Sequence, residues 1–251
     1  MVRLSGGVWA LVGVAVVLVL MGSYGAPAEE KTIAAPSAPS QPEKAKPGQA
    51  EGFVSLFNGK DTTGWTVTDG GEWLVRDGCL VGTQTDGKGG DLTHEKEWDN
   101  FELRVTYRVK WPANSGIWFR FDKGNGYQFD ILKYKSPVAF SGTLYCPGKM
   151  FITTNLNEAI ENRDGWNEAR IWAVGDHLIL WLNGKRVGEC HDKTHTKGKI
   201  GFQVHGGNEF KGMEIVLKKI EVRPLKADET PPPMTDAEKP AEPEKPPQPA
   251  K

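Results

Sequence analysis

Several kinds of residue and motif are scarce or absent in this 251-residue chain, and each absence narrows its function. Three cysteines, at unrelated spacings, give neither a disulfide framework nor a CxxC metal site. Lysine plus arginine (31) balances aspartate plus glutamate (32), and the two signs are interspersed, so nothing indicates a nucleic-acid partner. No phosphate-binding loop, nucleophile elbow or HExxH motif occurs. Nucleotide chemistry and the common serine and zinc hydrolase mechanisms therefore have no support.

Helical periodicity is also nearly absent, and strand patterns take its place. The segment Phe101–Lys110 alternates apolar and polar residues without a break, as a strand does when one face contacts the core. Asp77-Gly78 and Asn183-Gly184 separate apolar runs, and such pairs are strong hairpin signals because both central turn positions need a positive φ. About a dozen short strands with regular turns predict an all-β sandwich of two antiparallel sheets.

The two ends of the chain differ in composition from its centre. Residues 1–28 combine an early arginine, an apolar run and a small-residue site, which predicts an export signal and a periplasmic or extracellular location. An uncleaved membrane anchor is the alternative, and only then would the membrane be a partner. Residues 29–51 and 226–251 are rich in Pro, Ala, Glu and Lys, which predicts disordered tethers. Residues 52–225 form the predicted domain.

Five central segments alternate so that one strand face is apolar and the opposite face is polar. Ile117 and Phe119 point away from Trp118, for example, because successive side chains in a strand alternate sides. If these strands share a sheet, its polar face brings together aromatic, amide and ionisable side chains, which are the groups that a sugar-binding cleft needs. The predicted set is Trp118, Arg120, Gln128, Asp130, Tyr145, Gln203 and His205, with Asn114 beside them.

A series of short motifs across residues 52–225 carries a family resemblance. In order they are Phe53-Val54-Ser55-Leu56-Phe57-Asn58-Gly59-Lys60-Asp61, Gly64-Trp65, Gly90-Asp91-Leu92, Asn114-Ser115-Gly116-Ile117, Gly142-Thr143-Leu144-Tyr145, Trp181-Leu182-Asn183-Gly184 and Gln203-Val204-His205-Gly206. The ordered set resembles the 3-keto-disaccharide hydrolase family, also described as 3-keto-glucoside 1,2-lyases and 3-keto-2-hydroxy-glucal hydratases. The resemblance implies a concanavalin A-like jelly roll that binds a small carbohydrate substrate on its concave sheet.

The chain departs from the family pattern at one place. Members often have Tyr-Glu-Val-Gln-Ile-Leu-Asp where this chain has Tyr127-Gln128-Phe129-Asp130-Ile131-Leu132-Lys133. The acid therefore moves from the Gln128 position to Asp130, two residues along the same strand face, or about 7 Å. A carboxylate is kept, but its placement changes.

The resemblance implies cleavage of 3-keto-glycosides, in which the carbonyl acidifies the C2 proton and the C1 oxygen leaves by elimination. This requires a base at C2, a donor to the enolate oxygen and an acid at the leaving oxygen. We predict His205 as base or acid because imidazole exchanges protons near neutral pH. Asp130 could orient it or act as base. Arg120 would hold the enolate and Tyr145 would protonate the leaving group.

The remaining predicted residues bind substrate: Trp118 by ring contact, and Gln128, Gln203 and Asn114 by hydrogen bonds. The cofactor is left open; a divalent metal would suit the chemistry, with His205 and Asp130 as ligands. Simple structural roles are the alternative for each residue, since strand-face histidines and cross-strand ion pairs are common. A non-catalytic carbohydrate-binding module is the second hypothesis. A two-carboxylate glycosidase is the third, because only one inward acid is evident.

Overall fold

The computed structural model describes residues 52–84, 86–235 and 238. The predicted export segment 1–28 and the predicted linker 29–51 lie outside these residues, as does most of the predicted tail. In the part of the chain that is described, no helix has the length and apolar character needed to cross a membrane. Regular structure there consists of strands and two single 3₁₀ turns, Glu158–Ile160 and Asn208–Phe210.

Sixteen strands of the described residues form two antiparallel sheets. Sheet 1 has the order β14 (Lys185–His191), β13 (His177–Leu182), β12 (Asn167–Val174), β6 (Phe101–Lys110), β16 (Glu214–Pro224), β4 (Cys79–Thr83) and β3 (Glu72–Arg76), with β1 (Val54–Ser55) paired to β16. Sheet 2 has the order β11 (Met150–Asn155), β10 (Val138–Cys146), β8 (Asn125–Ile131), β7 (Ser115–Asp122), β15 (Gly198–Val204), β5 (Gly90–Trp98) and β2 (Trp65–Asp69), with β9 (Lys133–Lys135) paired to β10. The predicted all-β sandwich is confirmed.

The predicted hairpin turns are present. Asp77 and Gly78 have φ of 53° and 70° between β3 and β4, and Asn183 and Gly184 have φ of 50° and 75° between β13 and β14. Two consecutive residues with positive φ match the right-handed twist of the flanking strands. These turns fix the register of both hairpins.

The core lies between the sheets and consists of the apolar strand faces. Leu103 and Tyr107 extend from sheet 1, and Phe119, Phe129 and Phe202 extend from sheet 2; all five are fully buried. Each such side chain contributes roughly 1.5–3 kcal/mol by leaving water. The polar face of sheet 2 is consequently turned outward, where it can form a site.

The outer face of sheet 1 is partly covered by the segment that follows β16. Trp181, which is 3% exposed, donates its indole N–H to the Glu238 carboxylate, and Arg186 donates to the Pro232 carbonyl oxygen at 3.3 Å. Leu225 packs against the tryptophan cluster of that face. The described part of segment 226–251 therefore contacts the domain, although composition alone predicts a disordered tail.

Candidate functional site

Two rows of residues cross the outer face of sheet 2, which we call the site face. The first row follows the pairing of β10, β8, β7 and β15, and consists of Tyr145, Gln128, Trp118 and Gly201. The second row follows β8, β7, β15 and β5, and consists of Asp130, Gly116, Gln203 and Asp91. Strand pairing therefore brings together residues that are up to about 110 positions apart in sequence.

Gly116, in the second row, has no side chain, and this leaves space for the side chain of Gln128 in the first row. A Cβ at this position would lie 2.4 Å from Cδ of Gln128, which is far inside van der Waals contact. The Gln128 side chain therefore occupies the room over Gly116. A glycine in a strand often marks such a close approach.

A cavity of about 450 Å³ opens on the site face. Seven of the eight predicted site residues line it, namely Asn114, Trp118, Gln128, Asp130, Tyr145, Gln203 and His205. Leu132, Tyr134, Pro147, Met150 and Phe151 form an apolar side of the same cavity. Asp91 lines it too and was not among the predicted site residues, although it stands in the Gly90-Asp91-Leu92 motif. An apolar wall with convergent polar groups is typical of small-molecule sites.

A chain of hydrogen bonds runs along the cavity floor. The Trp118 indole N–H donates to Asp91 Oδ1 at 3.0 Å. With the Gln128 amide oxygen turned toward Trp118, the indole nitrogen lies 3.2 Å from that oxygen, and the Gln128 amide N–H donates to Asp130 Oδ1 at 2.5 Å. The chain thus links the two carboxyl groups of the floor through an indole and an amide.

Asp130 is 3% exposed, and burial raises the pKa of its carboxyl group well above the ordinary value. The charged form is disfavoured because the group has left water. Tyr145 lines the same cavity, and burial raises the pKa of its hydroxyl group as well. Burial therefore favours the protonated, neutral form of both groups.

His205 directly follows β15 and has one ring nitrogen engaged. Its Nδ1 lies 2.5 Å from the Gly206 carbonyl oxygen, and its ring stands edge-on to Phe210 with centroids 5.5 Å apart. A carbonyl oxygen only accepts hydrogen bonds, so this contact favours the tautomer with the proton on Nδ1. Nε2 then keeps its lone pair and can act as a base.

Gln84 holds the segment that carries His205, and sequence reasoning missed it. The Gln84 side chain is buried, and its Nε2 donates to the carbonyl oxygens of His205 and Gly207, both at 2.8 Å. The His205 backbone N–H also donates to the Asn114 carbonyl oxygen at 3.2 Å. A lone glutamine after β4 gives no sequence signal, because its partners come from the other end of the chain.

The prediction that Arg120 lies in the cleft is wrong. Its guanidinium is buried and donates to the carbonyl oxygens of Asp99 at 2.9 and 2.6 Å, Gly175 at 2.7 Å and His195 at 3.0 Å. Arg120 has φ of 47°, and the pairing of β7 with β8 shifts register between Phe119 and Asp122. This bulge interrupts the alternation, so Arg120 joins three loops and cannot stabilise an enolate.

Two further predictions concern the Trp118 ring and a metal ion. Trp118 is only 4% exposed, so its ring is part of the floor, whereas Tyr145 and Tyr134 present more ring surface to the cavity. Among residues 52–84, 86–235 and 238, no group of three or more His, Cys, Asp or Glu side chains is placed to hold a metal ion. The suggested ligands His205 and Asp130 thus lack a third such partner among these residues.

Comparison with known proteins matches the same domain to a family. The model of the 3-keto-alpha-glucoside-1,2-lyase-like domain matches residues 52–223. A curated 3-keto-disaccharide hydrolase from Bacteroides thetaiotaomicron is 34% identical over an alignment of 186 residues, and the alignment covers 68% of this chain and 61% of the relative. This chain therefore aligns with less than two thirds of that relative's length.

Solved structures show the same fold at low sequence identity. A candidate glycosyl hydrolase from Parabacteroides distasonis has a TM-score of 0.55 at 21% identity, covering 70% of this chain and 95% of that one. The carbohydrate-binding module CBM66 from Bacillus subtilis has a TM-score of 0.52 at 19% identity, covering 64% of this chain and 96% of that one. The domain is a concanavalin A-like jelly-roll sandwich, as predicted.

Proposed function

The chain belongs to the family of 3-keto-alpha-glucoside-1,2-lyase-like domains, and we propose that its domain cleaves 3-keto-glycosides by removing the C2 proton and eliminating the glycosidic oxygen. Hydration of the resulting enone would complete hydrolysis. The relative named 3-keto-disaccharide hydrolase supports this substrate class. The observation that carries the proposal is the His205 ring, whose Nδ1 contact with Gly206 leaves Nε2 available as a base in the cavity.

The proton and electron movements can be assigned to groups of the cavity. His205 Nε2 takes the C2 proton, and the electron pair moves to the C3 oxygen as an enolate. Asp130, whose raised pKa favours the neutral acid, donates a hydrogen bond to that oxygen in place of the distant Arg120. The enolate then re-forms the carbonyl while the C1–oxygen bond breaks.

Tyr145 supplies the proton of the leaving oxygen, because its raised pKa keeps the hydroxyl group protonated until the bond breaks. The imidazolium proton of His205 then restores the tyrosine. If hydration follows, water adds its oxygen to C1 and a proton returns to C2. The enzyme is thereby returned to its starting protonation state.

The test is turnover of a 3-keto-glucoside and its unoxidised parent, followed by enone absorbance and free aglycone. We expect only the keto sugar to react, and His205→Ala to lower kcat by about 10²–10⁴-fold, the range of general acid–base catalysis. His191→Ala, an exposed histidine of sheet 1, is the matched control and should not change kcat. Deuterium at C2 should exchange into solvent, and its full retention in every product would exclude elimination.

A non-catalytic carbohydrate-binding module is the second candidate, and one observation favours it. Gln128 occupies the position where relatives often have an acid, and its amide is committed to Trp118 and Asp130. Tyr145 and Tyr134 would then serve as ring contacts. Sugar binding without turnover of any keto sugar, lost in Tyr145→Ala, would favour this function over the lyase.

The two-carboxylate glycosidase has less support. Asp91 supplies a second acid that the sequence alone did not reveal, but both carboxyl groups are engaged on the cavity floor. Asp91 accepts the Trp118 indole N–H, and Asp130 is buried and accepts the Gln128 amide N–H, so neither is free to attack a sugar or activate water. Cleavage of unoxidised glycosides would reverse this ranking.

We also propose that the domain works outside the cytoplasm. The support is the composition of residues 1–28 alone, with its arginine, apolar run and small-residue site. The mass of the protein recovered from the cell envelope or medium tests this, because removal of the signal shortens the chain, whereas an anchored protein keeps it.

A further inference from the structure

The apolar side of the cavity lies next to the residue that we place at the leaving oxygen. Tyr145, the proposed proton donor, is directly opposite Phe151 in the pairing of β10 with β11, and both residues line the cavity. Directly opposed residues of an antiparallel pair have their Cβ atoms about 4.5–5.5 Å apart. The Phe151 ring in turn meets the Tyr134 ring edge-on, with centroids 6.2 Å apart. A group that departs beside Tyr145 therefore meets an aromatic surface.

Two side chains of this apolar surface are open to solvent. Tyr134 is 41% exposed and Met150 is 50% exposed. Contiguous exposed apolar surface on a folded domain commonly marks a binding site. Methionine is also unbranched and polarisable, so its side chain adapts to apolar ligands of different shapes. These two residues thus provide contact area that the folded domain leaves uncovered.

The backbone at Met150 presents this side chain to the cavity. Met150 is the cross-strand partner of Cys146, which is fully buried in the core, so strict alternation would turn Met150 inward as well. Its φ is 65°, in the left-handed region that residues other than glycine, asparagine and aspartate rarely adopt. The side chain instead lines the cavity. Unfavourable backbone conformations of this kind are concentrated at functional sites.

The chemistry of the apolar side suits an apolar group better than a sugar. The Tyr134 hydroxyl group provides the only side-chain oxygen or nitrogen among its five residues, which are Leu132, Tyr134, Pro147, Met150 and Phe151. A sugar ring here would leave most of its hydroxyl groups without a protein partner. A flat apolar ring would instead bury its surface against side chains of matching character.

We propose that the apolar side binds the leaving group, and that the substrate class is a 3-keto-glycoside of an apolar, aromatic alcohol. This rests on the proposed function, which places the keto sugar over the polar floor and Tyr145 at the leaving oxygen. The cavity volume of about 450 Å³ falls within the roughly 300–1,000 Å³ of small-molecule sites, so it has room for the keto sugar and one such group. The leaving group of this class is not a sugar.

The experiment compares kcat/KM for benzyl 3-keto-glucoside with kcat/KM for methyl 3-keto-glucoside. The two leaving alcohols are similar in acidity, so the ratio reports contact with the aromatic ring rather than the ease of bond breaking. We expect a wild-type ratio of about tenfold or more, because the benzyl ring leaves water on binding. We also expect the benzyl substrate to react with a higher kcat/KM than a 3-keto-disaccharide.

Tyr134→Ser and Met150→Gln should each lower the benzyl-to-methyl ratio severalfold, since each removes apolar contact from the ring. Both residues are exposed, so neither change disturbs the core. Leu74→Ser is the matched control: Leu74 is an exposed apolar residue of β3 in sheet 1, and its loss should preserve the ratio. A wild-type ratio near one, a ratio that both variants leave unchanged, or a 3-keto-disaccharide that exceeds the benzyl substrate would each overturn the proposal.

Calorimetric binding of unoxidised benzyl glucoside and methyl glucoside separates this inference from the proposed function. If no keto sugar turns over but benzyl glucoside binds more tightly than methyl glucoside, and Met150→Gln reduces the difference, the apolar site stands and the lyase does not. If methyl 3-keto-glucoside turns over and the benzyl compound has no advantage, the lyase stands and the apolar site fails. No turnover together with equal binding of both glucosides would refute both.

Discussion

Replacement of Asp130 by asparagine should change how the stability of the domain depends on pH. The folded protein raises the pKa of this carboxyl group above its unfolded value, which is near 3.9, because the side chain is 3% exposed. The native state therefore holds a proton that the unfolded chain has released. Stability from this group is complete below about pH 4 and falls as the pH rises toward the folded pKa.

The size of the effect follows from one proton. Between about pH 4 and the folded pKa, the free energy of unfolding of the wild type should fall by about 1.4 kcal/mol per pH unit on account of Asp130. Asp130→Asn removes this loss, so the stability of the variant relative to the wild type should increase with pH by that slope. Urea unfolding at several pH values between 4 and 8 measures it. A difference that stays flat over this range would refute the buried neutral acid.

Asp192→Asn provides a control of opposite sign. Burial alone would raise the pKa of Asp192, but hydrogen bonds from Lys149, Thr194 and Tyr127 hold it well below the ordinary value. This carboxylate therefore stabilises the fold above its unfolded pKa, and that stability is lost as the pH falls below about 4. The wild type should exceed this variant most clearly near neutral pH.

Two further predictions concern packing. Gly116→Ala should lower stability by about 1–3 kcal/mol and reduce turnover, because the added Cβ would lie 2.4 Å from Gln128 Cδ and would push the Gln128 side chain away. An unchanged melting temperature would show that the side chain moves aside freely. Removal of residues 226–251 should expose Trp181, which is only 3% exposed in the intact chain. Tryptophan emission should then shift to the red, and stability should fall by about 1–3 kcal/mol. Identical emission would show that the segment does not cover this face in solution.

Most of the sandwich could be predicted from the sequence, since its determinants are local. A strand with one buried face has a two-residue period, and the turns at Asp77-Gly78 and Asn183-Gly184 require a positive φ that few residues tolerate. The same period correctly assigns the faces of β8 and β15. The pairing order of the strands could not be predicted in this way, because it depends on contacts between residues far apart in the chain.

The two-residue period gave a wrong prediction at the end of β7. It places Arg120 on the site face and Phe121 in the core, whereas in the structure Phe121 contacts Trp118 on the site face and Arg120 is turned away from it. The cause is a bulge, and the glycines that permit it lie on other segments: an ideal Cβ at Gly198 would stand 2.4 Å from the Arg120 carbonyl carbon, and one at Gly126 would stand 2.8 Å from the Phe121 Cα. Such a bulge is set by backbones that meet only in the folded sheet. Asp91 was not predicted for a different reason. A single acid within a short motif does not reveal which strands lie next to the strand that carries it, and so does not show that it reaches the site.

The exchange of acid and amide between positions 128 and 130 is explained as one coupled change. An amide at Gln128 can accept from Trp118 and donate to Asp130 at once, whereas a carboxylate there could not donate to a second acid. Two adjacent carboxyl groups on a buried floor would also repel each other and share a proton. Relatives with an acid at the first position and an amide at the second would hold the same two groups in reversed order. In this chain the acid is instead paired with Gly116, where no side chain separates it from the cavity that Tyr145 also lines.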